Sequence, residues 1–253
     1  MSERQHPLSR SFDRVADLYE RSRPGYPDDA VGWLVDRLGI ERGRTVLDLG
    51  AGTGKLTRQL VRTGARVIAL EPGDEMRAQL ERVVPEAEPL AAGAEDIPFE
   101  DNSVDATTAA QSFHWFRFDE SIREIQRVLR PNGGLGLVWN ERDPEDPLQQ
   151  RVTELTDPFV PRSRPRRGVD AGWLGCIEKS RLFGPLEQCQ VRFAQELDAD
   201  ELVDRVATIS FVASAVLGDR QELERELRFL AHSGGGRVVF RYVTQAYVTF
   251  SVA

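Results

Sequence analysis

VLDLGAGTGK, residues 46–55, runs from a short apolar stretch into glycines at 50, 52 and 54. The nearly continuous run TVLDL over 45–49 reads as a buried strand of a parallel sheet. A helix is predicted from about Lys55 to Thr63, with Gly64 placed to stop it. Between the two, the glycines let the chain turn sharply and let a ligand approach bare backbone. The spacing is G-x-G-x-G. A dinucleotide fingerprint would need its third glycine at Lys55, and a phosphate loop would need Gly at Leu49 and Ser or Thr at Leu56.

Working outward, the same strand–helix unit recurs. Strand Val67–Leu70 leads to a helix over 74–84 with Met76, Leu80 and Val83 inward, then to a weak strand at Pro89–Ala92. A fourth strand at Asp105–Ala110 precedes a helix over 118–129 whose Ile122, Ile125, Val128 and Leu129 share a face. RPNGG (130–134) reads as a turn and GLGLVW (134–139) as a fifth strand. Upstream, Val31, Leu34, Val35 and Leu38 fall on one face of a helix over 28–38. Strands alternating with helices at this spacing predict a doubly wound parallel α/β sheet.

After Asn140 the rhythm breaks. Residues 140–185 are rich in proline and charge and predict a helical or partly mobile insertion. Beyond it come a strand near Leu186–Phe193, a helix over 199–214, and a helix over 220–231 opening on DRQE (219–222) as a capping box. The β-branched and aromatic tail, 238–252, predicts a terminal strand.

The 253 residues suit one large α/β domain or a domain with a modest appendage. Lys plus Arg number 33 against 41 Asp plus Glu, a net charge of −8, which excludes an overall basic surface built for nucleic acid. No apolar run approaches the roughly 18–20 residues that span a bilayer, and the N-terminus has no signal-peptide core, so no membrane association and a cytoplasmic location are expected. Two cysteines, Cys176 and Cys189, and three histidines, His6, His114 and His232, support neither a zinc site nor a disulfide framework. The cluster Arg162, Arg164, Arg166 and Arg167 is either a solvated loop or an anion site.

Glu71 ends the second strand about twenty residues beyond the glycines, where a carboxylate either accepts ribose hydroxyls or starts a helix. Met76 is either core or a soft surface for an adenine ring. His114, in QSFHWF after the fourth strand, has the pKa range of a general base beside an acceptor; otherwise it packs between Phe113 and Trp115 and fixes the loop.

VLDLGAGTGKLT, ALEPGDEM, AEDIPFEDNSVDATTAAQSFHWF and EIQRVLRPNGGLGLVWNERD together resemble, in order and spacing, the successive motifs of class I S-adenosylmethionine-dependent methyltransferases of the type 11 group, over about residues 12–143. The lead FDRVADLYERSRPGYP (12–27) is similar to that of the trans-aconitate methyltransferase-like subgroup. The resemblance implies a Rossmann-like, mostly parallel seven-stranded sheet with an inserted helical cap. It also implies S-adenosylmethionine as cofactor and methyl transfer to a small-molecule acceptor, most simply O-methylation of a carboxylate or hydroxyl. By position, Asp48, Gly50, Ala51 and Gly52 would border the methionine part and Glu71 would hold the ribose. Pro72 and Met76 would flank adenine, with Ala94 and Glu95 at its polar edge. Relatives commonly carry an acid where this chain has Gly93, so Glu95 or backbone groups would supply that bond. Gln111 would approach the transferred methyl, and Tyr19 and Arg23 would contact the cofactor carboxylate or an acidic substrate. Phe113, His114, Trp115, Phe116 and Trp139 are the candidate acceptor lining, with His114 the candidate base.

The expected organisation is an N-terminal lid at 1–27, a cofactor-binding core at 28–140, a cap insertion at 141–185, and completion of the core with cap helices and a terminal strand at 186–253. Two other readings are a cofactor-binding protein that presents a surface to a partner without methyl transfer, and an NAD-dependent oxidoreductase, which the glycine spacing disfavours. The acceptor's identity and the oligomeric state are not legible.

Overall fold

A strand as apolar as TVLDL must be covered on both faces and paired on both edges, and the fold provides both. The computed structural model describes residues 16–160 and 172–252. Its strands are β1 (Thr45–Leu49), β2 (Arg66–Leu70), β3 (Glu88–Leu90), β4 (Val104–Ala110), β5 (Leu129–Arg142), β6 (Glu187–Asp198) and β7 (Arg237–Phe250). They form one seven-stranded sheet in the order β3-β2-β1-β4-β5-β7-β6. Strands β1 to β5 pair in parallel, while β7 runs antiparallel to both β5 and β6. The Rossmann-like, doubly wound, mostly parallel expectation is met.

The helices are α1 (Ala16–Ser22), α2 (Asp28–Leu38), α3 (Thr57–Leu60), α4 (Asp74–Val83), α5 (Phe118–Val128), α6 (Pro147–Thr156), α7 (Trp173–Ser180), α8 (Ala199–Ala207), α9 (Ser210–Ala213) and α10 (Leu217–Ser233). Side chains alternate across a strand, and β1 shows the result. Val46 packs with Val31, Leu34 and Leu38 of α2 on one face, while Leu47 and Leu49 pack with Ile122 and Ile125 of α5 on the other. A separate apolar cluster joins Val152 of α6, Leu202 and Val206 of α8 and Leu227 of α10 to Val238, Phe240 and Tyr242 of β7. This cluster roofs the sheet beyond β5. Among the described residues, no helix is long and apolar enough to cross a membrane.

Several local expectations are corrected. RPNGG is not a separate turn but an excursion within β5. Partners of Val104 and Ala106 are Leu129 and Gly134, so five residues of β5 advance against two of β4, and Asn132 takes positive φ (65°) to absorb the excess. The helix after the glycines begins at Thr57 rather than Lys55 and tightens into a 3-10 turn over Val61–Thr63. DRQE does not cap a helix, because α10 already starts at Leu217 and leaves Asp219 in its first turn, where an acid suits the helix dipole. The capping box lies at α8 instead. Glu201 N–H donates to Asp198 Oδ1 (2.9 Å) and Asp198 N–H donates to Glu201 Oε2 (2.8 Å). The helix expected over 199–214 is broken at Ile209, whose backbone is extended. Residues 140–185 include α6 and α7; the arginines at 162, 164, 166 and 167 lie outside the described residues.

Candidate active site

Winding proceeds from β1 outward to β3 on one side and from β4 outward on the other, so the crevice at the carboxyl ends of β1 and β4 is the switch point of the sheet. The glycine loop leaves β1 there. Gly50 has φ +61°, and a Cβ on it would stand 2.8 Å from the Ser112 Cβ, so only glycine lets the end of β1 lie against the segment after β4. Gly52 also has positive φ (+59°), yet a Cβ there would meet nothing within 4 Å. Its bare backbone faces open space.

That space is a cavity of about 450 Å³, within the roughly 300–1,000 Å³ of small-molecule sites. Tyr19, Gly50, Ala51, Gly52, Glu71, Pro72, Met76, Ala94, Glu95 and Gln111 all line it, as do Trp115 and Phe116. The Glu71 carboxylate accepts from Gly52 N–H through Oε2 and from Gly73 N–H through Oε1, each at 2.8 Å. It thereby ties the glycine loop to the turn after β2. An ionised carboxylate offers about four lone-pair directions, and these two bonds fix its orientation toward the cavity wall.

Glu95 has a second task. Its Oε1 accepts from Arg117 N–H at 3.0 Å, one residue before α5, and its Oε2 lies 2.9 Å from where a Cβ on Gly93 would stand. The absent side chain at 93 makes room for this carboxylate.

Helix α1 is held against the glycine loop by Glu20, a residue the sequence reading passed over. Its carboxylate accepts from Thr53 Oγ1 (2.6 Å) and pairs with Arg58 (2.5 Å), while Lys55 Nζ donates to its backbone carbonyl. Tyr19 is carried to the cavity wall by this clamp. Arg23 does not line the first cavity; it anchors α1 to the end of α8, donating from Nε to Thr208 Oγ1 (2.8 Å) and from Nη2 to Thr208 O (2.9 Å).

Arg23 lines a second cavity of about 280 Å³ that shares Tyr19, Gln111 and Trp115 with the first. His114, Asn140, Glu141, Arg142, Asp157, Arg205 and Phe211 also line it. Gln111 stands at the junction with φ +55°, unusual for a non-glycine residue, and its Nε2 donates to Asn140 O at 2.9 Å. Arg205 and Arg142 were not foreseen. Arg205, on the amphipathic α8, reads as surface and only packing buries it, while Arg142 ends β5 and is half-buried.

Three expected residues stand outside both cavities. Asp48 is 1% exposed and accepts from Thr57 Oγ1 (2.6 Å) and Thr108 Oγ1 (2.9 Å). Burial pushes its pKa up to about 6 against the pull of those two hydroxyls. It braces the loop from beneath. Phe113 and Trp139 belong to an aromatic core around Trp173, at centroid distances of 6.0 and 4.7 Å. Trp139 does reach the site indirectly, since its Nε1–H donates to His114 Nδ1 at 3.3 Å.

With this geometry in view, comparison with known proteins is decisive. Residues 47–137 match the family described as a methyltransferase domain. An uncharacterized methyltransferase of Mycobacterium tuberculosis is 45% identical over 168 residues, covering 60% of this chain and 67% of the relative. An uncharacterized methyltransferase-like protein of Schizosaccharomyces pombe is 35% identical over 218 residues, covering 86% and 84%. The chain belongs to the S-adenosylmethionine-dependent methyltransferases. Among solved structures, a protein named as a type II methyltransferase from Anaeromyxobacter dehalogenans is similar to this methyltransferase with a TM-score of 0.64 and 26% identity, covering 90% of this chain and 97% of that one. A Haemonchus contortus N-methyltransferase holding S-adenosylhomocysteine shares the fold, with a TM-score of 0.59 at 15% identity, covering 100% of this methyltransferase and 61% of that chain.

Proposed function

We propose that this methyltransferase binds its cofactor in the first cavity and moves the methyl group to an oxygen of a small-molecule acceptor seated in the second. The observation that carries this reading is the shared wall of Tyr19, Gln111 and Trp115, which sets the two chambers side by side. The glycine loop, the Glu71 carboxylate and the cavity volume fit S-adenosylmethionine. When bound, the cofactor supplies a sulfonium methyl that an oxygen nucleophile takes by in-line displacement, the S–C bond breaking with its electron pair left on sulfur.

The remaining work is positional. Glu71 accepts the ribose hydroxyls while staying fixed by Gly52 and Gly73. Pro72 and Met76 sandwich the adenine, and Ala94 and Glu95 meet its amino edge, with Glu95 replacing the acid missing at 93. Gly50, Ala51 and Gly52 border the methionine portion, and Gln111 stands beside the methyl. Asp48 acts from beneath by holding the loop, and Tyr19 and Arg23 close α1 over the junction, where excluding water favours transfer.

Indole nitrogen only donates, so the contact from Trp139 makes His114 Nδ1 an acceptor and leaves the proton of the neutral ring on Nε2. This arrangement favours His114 as a hydrogen-bond donor to the acceptor rather than as its base. A carboxylate acceptor has no proton to lose. The N-terminal lead supports kinship with the trans-aconitate methyltransferase-like subgroup. We further assign the lid to 1–27, the core to 28–140, the cap to 141–185 and the completion to 186–253, with a cytoplasmic location and no nucleic-acid partner.

Isothermal titration with S-adenosylmethionine, S-adenosylhomocysteine and NAD tests the cofactor placement. The first two should bind the wild-type protein and fail to bind Glu71→Ala; binding of NAD alone would sink the reading.

A further inference from the structure

The wall of the second cavity contains two guanidinium groups, Arg23 and Arg205, that pair with no carboxylate among the described residues. Arg205 is 5% exposed. Its Nε donates to Tyr242 Oη at 2.8 Å, and its plane lies over the rings of Phe240 and Tyr242, 5.6 and 5.5 Å from their centroids. Those contacts fix the group, yet Nη1 and Nη2 donate to no acceptor among the described residues.

A buried charge without a counter-charge is costly, and a chain with net charge −8 has acids to spare. None is spent here. Arg23 registers the same imbalance, since burial and then the nearby Arg205 lower its pKa. A guanidinium fork with its two terminal nitrogens uncommitted matches the paired oxygens of a carboxylate or phosphate. Beside it, Ile209, Phe211 and Trp115 supply apolar wall.

Building on the two-chamber reading above, we propose that the methyl acceptor is anionic and that Arg205 holds its oxyanion in the second cavity. Trp115 and Phe211 flank the acceptor's hydrocarbon body, and its reacting oxygen lies toward Gln111. Arg205 is therefore a specificity residue for acids over their neutral analogues. Arg23, tied to Thr208, adds field rather than a direct bond.

The test is calorimetric titration of the protein saturated with S-adenosylhomocysteine, using benzoate, succinate and inorganic phosphate, with benzamide as the neutral isostere. A carboxylate should bind at least about tenfold more tightly than benzamide. Arg205→Met should weaken it about 10- to 100-fold, the worth of a charge-assisted hydrogen bond, and leave S-adenosylhomocysteine affinity intact. Arg205→Lys keeps the charge without the fork and should fall between, which serves if the methionine variant does not fold. Phosphate binding more tightly than both carboxylates supports the oxyanion site and identifies its source as a phosphorylated acceptor. The proposal is overturned if carboxylates and phosphate bind no better than benzamide, or if both Arg205 variants leave carboxylate binding unchanged. Equal loss of S-adenosylhomocysteine in Arg205→Met also overturns it, because the anion would then be the cofactor's own carboxylate. Failure of the wild-type protein to bind S-adenosylhomocysteine at all would refute the cofactor placement instead.

Discussion

The indole N–H of Trp139, toward the C-terminal end of β5, donates to Nδ1 of His114 at 3.3 Å. Trp139 is fully buried and stacked on Trp173, so the donor cannot swing away, and the histidine must present an acceptor to it. Long-range nitrogen–proton NMR on the wild-type protein should show His114 as the Nε2–H tautomer. Trp139→Phe should release Nδ1 and allow the other tautomer to appear. A wild-type spectrum with the proton on Nδ1 would refute the donor role and restore His114 as candidate base.

Glu71 holds two backbone N–H groups at 2.8 Å, and a glutamine there would aim an NH₂ group at one of them. Glu71→Gln should therefore lose affinity for S-adenosylmethionine by at least about 10- to 100-fold, nearly as much as Glu71→Ala. Calorimetry on the two variants checks this. Equal affinity of Glu71→Gln and wild type would mean that the carboxylate charge is not used.

Gly50→Ala combines positive φ with a Cβ only 2.8 Å from that of Ser112. A strained backbone position of this kind costs about 1–3 kcal/mol, and the clash adds to it. Urea unfolding should show the midpoint falling with little change in slope. Gly52→Ala shares the backbone strain but has no clash within 4 Å, so it should destabilise less while impairing cofactor binding through the space its methyl fills.

Asp48 has a folded-state pKa raised to about 6, against about 3.9 when unfolded. Between those values the native protein binds the extra proton, so this residue's contribution is most favourable below about pH 4 and is lost as pH rises to about 6. At two pK steps of about 1.4 kcal/mol each, the ionised group costs up to about 3 kcal/mol at neutral pH. Asp48→Asn should raise stability at pH 7 and flatten the profile between pH 4 and 6. Chemical denaturation across that range measures it; an unchanged profile would show that Asp48 is not the titrating group.

The strands β1, β2, β4 and β5 were legible because a strand covered on both faces must be apolar along its length, and the helices α2, α4 and α5 because a stripe at 3.6-residue spacing has few alternatives. The glycine loop was legible for a related reason: a backbone forced to positive φ accepts few residues besides glycine. Where the reading failed, the deciding contact was distant in sequence. RPNGG looked like a turn, yet pairing with β4 absorbed it into β5. Phe113 and Trp139 looked like lining, but Trp173 draws both into the core. Glu20 gave no signal at all, since its partners Thr53 and Arg58 lie on another element.

The sequence by itself determined the doubly wound sheet, the turn at the end of β1 and the carboxylate at the end of β2, because each follows from backbone sterics and local periodicity. Only the tertiary structure decided which way Arg205 faces, what fixes the ring of His114, and that two cavities meet at Gln111. Those properties depend on residues far apart in the chain, whose burial and charge balance exist only once α1, α8 and β7 are packed together.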